Sequence, residues 1–259
     1  MTSQTPSIAE LRAATQPESL LQRPGAEHWA GRLYMRRFSP HVTRLLLATP
    51  ITPSAVTALM IPAGLVAAFT LTLPGLLAAV VAGLLAQLQL LLDCCDGEVA
   101  RWRRRFSPAG TYLDQIAHYA TEAALPAGLG IRADGGWGSV GGWTALGLTV
   151  SVLVLLLKSE THLVEIARAR SGRPVVEHET ADFASRPGRL PLRQGVRLLP
   201  FFRPFQAVEA TLLALAAAVV DAVSEDVVGT RALVLLLVAA GVLAVAGHLA
   251  SILASKRLD

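Results

Sequence analysis

Six long apolar stretches restrict how this chain can fold. They cover about residues 52–73, 75–100, 111–131, 142–166, 203–222 and 230–253. A helix needs about 20 mostly apolar residues to cross the hydrocarbon core of a bilayer, and each stretch is that long. Helices also satisfy their own backbone polar groups, which a bilayer requires of any spanning segment. The sequence therefore predicts an all-α integral membrane protein with six transmembrane helices.

The composition excludes several other classes of protein. Hydrophobic residues make up 53% of the 259 positions, charged residues only 16%, and the mean hydropathy is +0.49. A soluble domain would need more polar surface, and a disordered chain would contain far fewer apolar residues. The only two cysteines, Cys94 and Cys95, are adjacent. We expect them to fill apolar space, because adjacent cysteines rarely form a disulfide and no further thiols are present for a metal site.

The basic residues set the predicted orientation in the membrane. If the N-terminus is cytoplasmic, Arg132 and Arg231 are the only lysines or arginines on the far side. The positive-inside rule thus places both termini in the cytoplasm of a multi-pass protein of the cell membrane. The first 40 residues show no cleavable secretory signal. We expect residues 1–48 to form a cytoplasmic arm and residues 49–259 to form the six-helix transmembrane domain.

Residues 26–48 of the arm have the composition of an interfacial helix. Apolar and basic residues are interleaved there: Trp29, Leu33, Met35 and Phe38 with Arg32, Arg36, Arg37 and Arg44. Such a segment is expected to lie as an amphipathic helix in the headgroup region. Nucleic acid binding is disfavoured, because the arginines are spread among the spans instead of forming one soluble basic domain.

Acidic residues lie close to membrane depth at one predicted hairpin. Asp93 and Asp96 end the second span, and Asp114 begins the third. Ionisable groups in a bilayer are costly, so they suggest function. Asp93 and Asp96 are three residues apart and share a helix face, as do Asp114 and His118, which are four apart. A turn through residues 102–110 would direct both faces to one site near the cytoplasmic boundary.

These residue types suit the chemistry of phosphate groups. Carboxylates and an imidazole at one site would bind a hard divalent cation such as Mg²⁺. The small residues Gly97, Ala100 and Gly110 would let a bulky ligand approach the backbone, and Arg101 would place a fixed positive charge beside a phosphate. Metal ions and an arginine together are common catalysts of displacement at phosphorus.

The motif resembles that of a known family. Asp93-x-x-Asp96-Gly97-x-x-Ala100-Arg101, followed after eight residues by Gly110-x-x-x-Asp114, looks like the signature of the CDP-alcohol phosphotransferases. The family has a fourth aspartate where this chain has His118. Residues 52–57 are similar to the family's TPNxVT segment, with Ser54 in place of the usual asparagine. The resemblance covers roughly residues 30–255.

The resemblance implies an activity and a set of roles. Members transfer a substituted phosphoryl group from a CDP-linked donor, often CDP-diacylglycerol, to an alcohol and release CMP, as in phospholipid biosynthesis. They use two divalent ions, Mg²⁺ or Mn²⁺, and form homodimers. The implied metal ligands are Asp93, Asp96, Asp114 and His118. The implied CDP-binding residues are Thr57, Gly97, Ala100, Arg101 and Gly110. His118 would take the position of the catalytic base, next to Asp114.

The histidine leaves two interpretations open. His118 is either a working base, since neutral imidazole accepts protons and binds metals, or the mark of a catalytically degenerate member that acts as a nucleotide- and metal-binding scaffold. We favour an enzyme, because the three other metal positions are intact. An ion transporter is disfavoured, since its polar residues would thread several spans.

The sequence also leaves the identity of the acceptor alcohol open. The arginine-rich arm and residues 43–53 resemble relatives that use inositol-phosphate-type acceptors. Glycerol phosphate or an uncharged polyol are the alternatives.

The remaining polar residues have structural explanations beside functional ones. Glu122 either orients His118 or is a satisfied buried carboxylate. Lys158 is expected to pair with an acid, and the alternative is contact with an acceptor phosphate. Arg203 is expected to reach the membrane interface, with contact to an anionic acceptor as its alternative.

Two further side chains and one loop complete the predictions. Glu98 points away from the Asp93 and Asp96 face and is expected to be solvated. His248 is expected to pack in the core with a local hydrogen bond. Residues 168–202 are predicted to form an irregular cytoplasmic loop near the site.

Overall fold

The structure, a computed structural model, describes residues 6–17, 28–173 and 203–254. Within these ranges all regular structure is helical, which confirms the all-α prediction. The helices are α1 Ile8–Thr15, α2 Arg36–Leu47, α3 Pro53–Leu71, α4 Leu76–Arg103, α5 Pro108–Ala133, α6 Gly142–Arg170, α7 Ala207–Ser224 and α8 Val228–Leu253. A π-helical turn, Gly31–Met35, leads into α2, and short 3₁₀ turns occupy Trp137–Ser139 and Arg203–Phe205.

Helices α3 to α8 occupy the six apolar stretches. Five of them, α3, α4, α6, α7 and α8, are long and apolar enough to cross a membrane. The remaining helix, α5, carries Asp114, Glu122 and Arg132 and is not among the five. The number of six spans therefore stays a prediction.

The second helix, α2, lies in the arm within the segment predicted as an interfacial helix. The apolar side chains Leu33, Phe38 and Leu45 of this segment are largely exposed, whereas Ser39 and Thr43 on its other side are buried. This distribution fits a helix with one apolar face turned away from the protein. Its location in the membrane interface, and the domain boundary at residue 48, stay predictions.

Two compact units divide the described chain. Of the described residues, the first unit comprises 6–17, 28–64 and 85–118, and the second comprises 65–84, 119–173 and 203–254. The first unit contains α1, α2 and the whole acidic hairpin. The second contains α6, α7 and α8, and α8 packs against both of the others.

Local sequence fixes where the helices of the first unit begin. In α1, Ser7 and Glu10 form a capping box, each accepting a hydrogen bond from the backbone of the other. Helices α3 and α5 both begin at a proline, a residue suited to the first helical position. The preceding residues supply the caps: Thr52 Oγ1 accepts from the Ala55 N–H at 3.2 Å, and Ser107 Oγ accepts from the Gly110 N–H at 3.0 Å.

A four-residue turn joins α4 to α5 and forms the predicted hairpin. Arg104 adopts a left-handed conformation, with φ of 51°, and the Arg105 N–H donates to the Ala100 carbonyl at 3.0 Å. The neighbouring Arg103 donates to the carbonyls of Ile51 and, at 2.7 Å, Thr49. The connection between α2 and α3 is thereby fixed to the end of α4.

A buried ion pair stabilises the second unit at the end that holds the α3–α4 turn. Arg132 is 4% exposed and donates to the carbonyls of Leu73 and Gly75 at 2.9 and 3.1 Å. Its Nε lies 3.8 Å from Asp221 Oδ2, and Asp221 accepts from the Thr230 N–H at 3.0 Å. The arginine is thus satisfied by carbonyls and one carboxylate, as burial of a charge requires.

Asp134 caps the start of α6. Its carboxylate accepts hydrogen bonds from the Gly141 and Thr144 N–H groups at 2.7 and 2.8 Å. Burial opposes ionisation of this carboxyl group, but the hydrogen bonds outweigh that effect and hold the pKa of Asp134 below its usual value.

Small residues let α5 and α6 cross at close range. A Cβ atom on Gly147 would overlap the Pro126 carbonyl oxygen, and one on Gly130 would lie 2.6 Å from the Trp143 carbonyl oxygen. Glycines at helix crossings are a common way for membrane helices to bring their backbones together.

We expect Gly147→Ala to destabilise the protein, because backbone atoms cannot move aside as a flexible side chain would. The expected loss is about 1–3 kcal/mol in the free energy of unfolding, measured by thermal unfolding in detergent. Gly247→Ala is the matched control, since a Cβ atom there meets nothing within 4 Å. Equal unfolding temperatures for the two variants would contradict the close crossing.

Candidate active site

The hairpin brings two aspartates and the histidine together. One ligand atom from each of Asp93, Asp114 and His118 lies within 4.8 Å of the others. His118 Nε2 lies 3.6 Å from Asp93 Oδ1 and 3.5 Å from Asp114 Oδ1. Each side chain is about one third exposed, so a ligand has access. The arrangement follows from helical spacing, which places Asp114 and His118 one turn apart on α5.

The donor set of this cluster fits a divalent cation. Asp114 Oδ1 is buried and makes no hydrogen bond with any of the described residues. Two carboxylates so close together repel each other unless a positive charge or a proton lies nearby. Carboxylate oxygen and imidazole nitrogen are ligands that Mg²⁺ and Mn²⁺ accept. Asp93, Asp114 and His118 would hold such an ion.

Asp96 has a different neighbour. It accepts a hydrogen bond from Thr57 Oγ1 at 2.5 Å and is not part of the three-residue cluster. Thr57 is buried in α3 and closes the segment that resembles the family's TPNxVT sequence. The two stretches that carry the resemblance therefore touch through this hydrogen bond.

Arg101 lies directly against Gly97. A Cβ atom on Gly97 would be 3.0 Å from Arg101 Nη1 and 3.1 Å from Nη2, closer than ordinary contact. The Arg101 Nε–H donates to the backbone carbonyl of Thr15 at 2.6 Å. Ala100, one residue earlier, is buried. A side chain at position 97 would therefore require the guanidinium to shift by a few tenths of an ångström.

Gly110 serves the packing of α5 against α3. A Cβ atom there would lie 3.3 Å from both Ser54 Oγ and Ser107 Oγ, and these two hydroxyl oxygens are 3.1 Å apart. Ser54, which departs from the family's asparagine, thus contacts the beginning of α5. Whether Gly97, Ala100, Arg101, Gly110 and Thr57 bind CDP stays a prediction.

The expectation that Glu98 is solvated is wrong. Glu98 is fully buried and accepts hydrogen bonds from Gln16 Nε2 at 2.8 Å, Thr43 Oγ1 at 2.7 Å and Ser39 Oγ at 2.5 Å. Arg36 Nη1 lies 3.3 Å from the same carboxylate. The physical reason is that α1 and α2 cover this face of α4.

A sequence signal for this cluster exists in α2. Arg36, Ser39 and Thr43 are spaced three and four residues apart, so they form a polar stripe on one helix face. The exposed side chains of Leu33 and Phe38 belong to the other side. A polar stripe opposite an apolar, lipid-directed one indicates a buried polar partner elsewhere in the chain. Sequence reasoning also missed Gln16 and Arg103.

The second unit satisfies the other polar residues structurally. Lys158 Nζ lies 2.9 Å from Glu122 Oε2, and Glu122 is buried, so the acid pair expected for Lys158 is confirmed. His248 is buried, which agrees with the expected core packing, and its Nδ1 lies 2.8 Å from Glu160 Oε2 of α6. This neighbour is an acidic side chain on another helix, so the local hydrogen bond expected for His248 stays a prediction.

The last sequence predictions have mixed outcomes. Cys94 and Cys95 are buried free thiols, as expected for apolar filling. Arg203 is exposed at the turn before α7, and its contact with the membrane interface stays a prediction. The loop predicted at residues 168–202 begins later than expected, because α6 continues to Arg170. Of the rest of that loop, the structure describes only residues 171–173.

Two proteins with known names are similar to parts of the chain. Both are called "Bifunctional IPC transferase and DIPP synthase". The one from Thermococcus kodakarensis is 38% identical over 81 residues, which cover 31% of this chain and 18% of that protein. The one from Rubrobacter xylanophilus is 36% identical over 106 residues, which cover 39% of this chain and 22% of that protein. The matched region spans only about a fifth of the length of either relative.

A family profile gives the broader match. Residues 50–185 match the profile described as CDP-alcohol phosphatidyltransferase, and this range includes every residue of the acidic hairpin. Because the match extends over more than half of the chain and contains the cluster of Asp93, Asp114 and His118, this protein belongs to the CDP-alcohol phosphatidyltransferase family.

Proposed function

We propose that this protein is a membrane transferase. It moves a substituted phosphoryl group from a CDP-linked donor, CDP-diacylglycerol, to an alcohol and releases CMP. The observation that carries the proposal is the cluster of Asp93, Asp114 and His118 in a chain of this family, where Asp114 Oδ1 accepts no hydrogen bond from the described residues. Arg101, one turn beyond Gly97 on the same helix, supplies the fixed positive charge.

The cluster suits a donor that carries a pyrophosphate. Asp93, Asp114 and His118 would hold one divalent ion, and Asp96 would be a ligand of a second ion. We propose Mg²⁺ or Mn²⁺ for both. Bound there, the ions would neutralise phosphate oxygens and so favour displacement at phosphorus. Arg101 would bind a phosphate oxygen through its guanidinium. Gly97 and Gly110 keep side-chain bulk away from the site.

His118 is proposed to act as the base. A neutral imidazole has one lone pair, so in this step Asp93 and Asp114 would hold the ion while His118 faces the acceptor hydroxyl. The imidazole accepts the proton of that hydroxyl, and the hydroxyl oxygen forms a bond to the phosphorus that carries the lipid group. The bond between that phosphorus and the CMP oxygen breaks, and CMP leaves with the electron pair. His118 then passes its proton to water. The histidine is about one third exposed, which allows this last transfer.

The acceptor is proposed to be a polyol phosphate of the inositol-phosphate type. The resemblance of residues 43–53 to relatives with such acceptors supports this choice, as does the basic arm, which would attract an anion. The two relatives' names describe a transferase and a synthase, which is compatible with alcohol phosphotransfer. Glycerol phosphate and uncharged polyols remain in the experimental panel.

The proposal includes a setting for the reaction. We place the six-span protein in the cell membrane as a homodimer, with both termini and the site at the cytoplasmic side. The positive-inside distribution of arginines supports the orientation. A soluble polyol phosphate would reach the site from the cytoplasm, and a lipid-linked donor would reach it from the bilayer.

A second candidate function follows from His118 alone. If the histidine cannot replace the fourth aspartate, the protein is a nucleotide- and metal-binding scaffold without turnover. The intact positions Asp93, Asp96 and Asp114 favour the enzyme. The two candidates differ in whether CMP is released.

We expect Asp93→Asn to reduce turnover strongly, because it removes a charged metal ligand. The assay measures CMP release by purified protein in liposomes that contain CDP-diacylglycerol and Mg²⁺ or Mn²⁺. A panel of polyols and polyol phosphates is tested, and CMP should be released only with the proper acceptor. The variant should be slower by about 100-fold or more. Asp226→Asn is the matched control, since Asp226 lies outside the hairpin and is more than half exposed. Acceptor-dependent CMP release that survives in Asp93→Asn would contradict the proposal.

Replacing His118 separates the enzyme from the scaffold. His118→Ala is expected to lower kcat by about 10²–10⁴-fold, the usual contribution of a general base. His118→Asp restores the family's carboxylate and is expected to retain turnover with a shift of metal preference toward Mg²⁺ over Mn²⁺, since a carboxylate is the harder ligand. The measurement is kcat in each metal. If the native protein releases no CMP and the His118→Asp variant does, the native protein is the scaffold and not the enzyme.

A further inference from the structure

The N-terminal helix ends on the guanidinium of Arg101. Thr15, the last residue of α1, accepts a hydrogen bond from Arg101 Nε through its backbone carbonyl at 2.6 Å. Thr15 is fully buried, so water does not compete for this contact. The C-terminal end of a helix carries partial negative charge, and an arginine there is favoured electrostatically.

The contact fixes one edge of the guanidinium and so orients the other. The group is planar, and its five N–H donors have a rigid arrangement. With Nε held by Thr15, the terminal nitrogens Nη1 and Nη2 lie over Gly97, on the turn of α4 that follows Asp96. This is the side of α4 that carries the family motif. An arginine oriented beforehand loses less conformational entropy when it binds a phosphate.

Gln16 locks the end of α1 in place. Its Nε2 lies within 2.8 Å of Glu98 Oε1 and 3.0 Å of the Arg36 carbonyl oxygen. Glu98 is fully buried and lies one helical turn before Arg101 on α4. A hydrogen bond to a buried carboxylate is stronger than one between neutral groups. Gln16 therefore ties the carbonyl of Thr15 to the same helix that carries Arg101.

Two further contacts hold α1 against the protein. Leu11 is fully buried, and Arg12 Nη2 donates to the Arg37 carbonyl of α2 at 3.0 Å. The side chain of Arg12 is exposed, so its replacement removes this hydrogen bond without removing a buried charged group. The helix is thus docked at three points along its length.

We propose that α1 is a positioning element for Arg101, with Gln16 as the positioning residue, and that its effect is on binding of the anionic pyrophosphate of the CDP-linked donor. The inference rests on the proposed function, in which Arg101 contacts the donor phosphates. Residues 7–16 act through Arg101 and do not touch the substrate.

The first experiment compares Gln16→Leu with Arg12→Ala in the liposome assay. Each is expected to raise KM for CDP-diacylglycerol, by about tenfold for Gln16→Leu, which corresponds to one lost hydrogen bond to a charged group. We expect kcat and KM for the acceptor to stay within about twofold, because the loss of one such bond acts on donor binding alone. Ala13→Gln, an exposed change on the same helix, is the control. An unchanged donor KM in Gln16→Leu would overturn the proposal.

A double-mutant cycle tests whether Gln16 acts through Arg101. Arg101→Lys removes the Nε contact, and a lysine has no planar group to orient. In that background Gln16→Leu should change the donor KM by less than about twofold, since coupled residues are not additive. An equal increase in both backgrounds would show a general structural effect and overturn the proposal. If gel filtration shows that Gln16→Leu does not fold, the same cycle is made with Arg12→Ala in place of Gln16→Leu.

Calorimetry with CDP separates this inference from the proposed reaction. Binding of CDP with Mg²⁺ is measured without acceptor, so no turnover is needed. If the native protein binds CDP but releases no CMP, the transferase proposal fails, and about tenfold weaker binding in Gln16→Leu still supports the positioning role. Equal CDP binding by the native protein and Gln16→Leu overturns that role. A native protein that binds no CDP overturns both proposals.

Discussion

The buried carboxylate of Glu98 is the interaction on which the first unit depends. A carboxylate without access to water is tolerated only when hydrogen-bond donors surround it. Glu98 obtains them from Gln16 after α1 and from Arg36, Ser39 and Thr43 of α2. Removing the arm would leave this charge in an apolar environment. The acidic helix α4 and the N-terminal arm therefore form one folding unit, although 82 positions separate Gln16 from Glu98.

Side chains on different faces of α4 contact different neighbouring helices. Asp96 contacts Thr57 of α3, Glu98 contacts α2, and Arg101 contacts the end of α1. Because consecutive helical residues point about 100° apart, residues so close in sequence reach three different partners. The same period returns Asp93 to the side where α5 presents Asp114 and His118. A single stretch of helix thus contributes Asp93 to the cluster with Asp114 and His118 and makes the contacts that hold its surroundings.

Sequence alone predicted the parts that depend on local spacing. Apolar length predicted the positions of α3 to α8, and one-turn spacing with a short turn predicted that Asp93, Asp114 and His118 lie together. Asp96 was predicted for the same cluster but accepts a hydrogen bond from Thr57 instead. The environment of Glu98 depends on residues far away in sequence. From its position on the helix alone, the Glu98 side chain was expected to be exposed to solvent. The prediction for Glu98 failed because α1 and α2 of the arm cover the face of α4 that carries Glu98.

The contact between Thr15 and Arg101 joins a helix outside the family match to a residue inside it. The family match begins at residue 50, so both α1 and α2 lie outside it. The acceptor for Arg101 is a backbone carbonyl, which every residue possesses, so no side-chain pattern can specify it. What sequence can specify is the side chain that brings the carbonyl into place, and here that is Gln16. A different arm sequence could serve the same arginine, provided that it ends a helix at this point and satisfies Glu98.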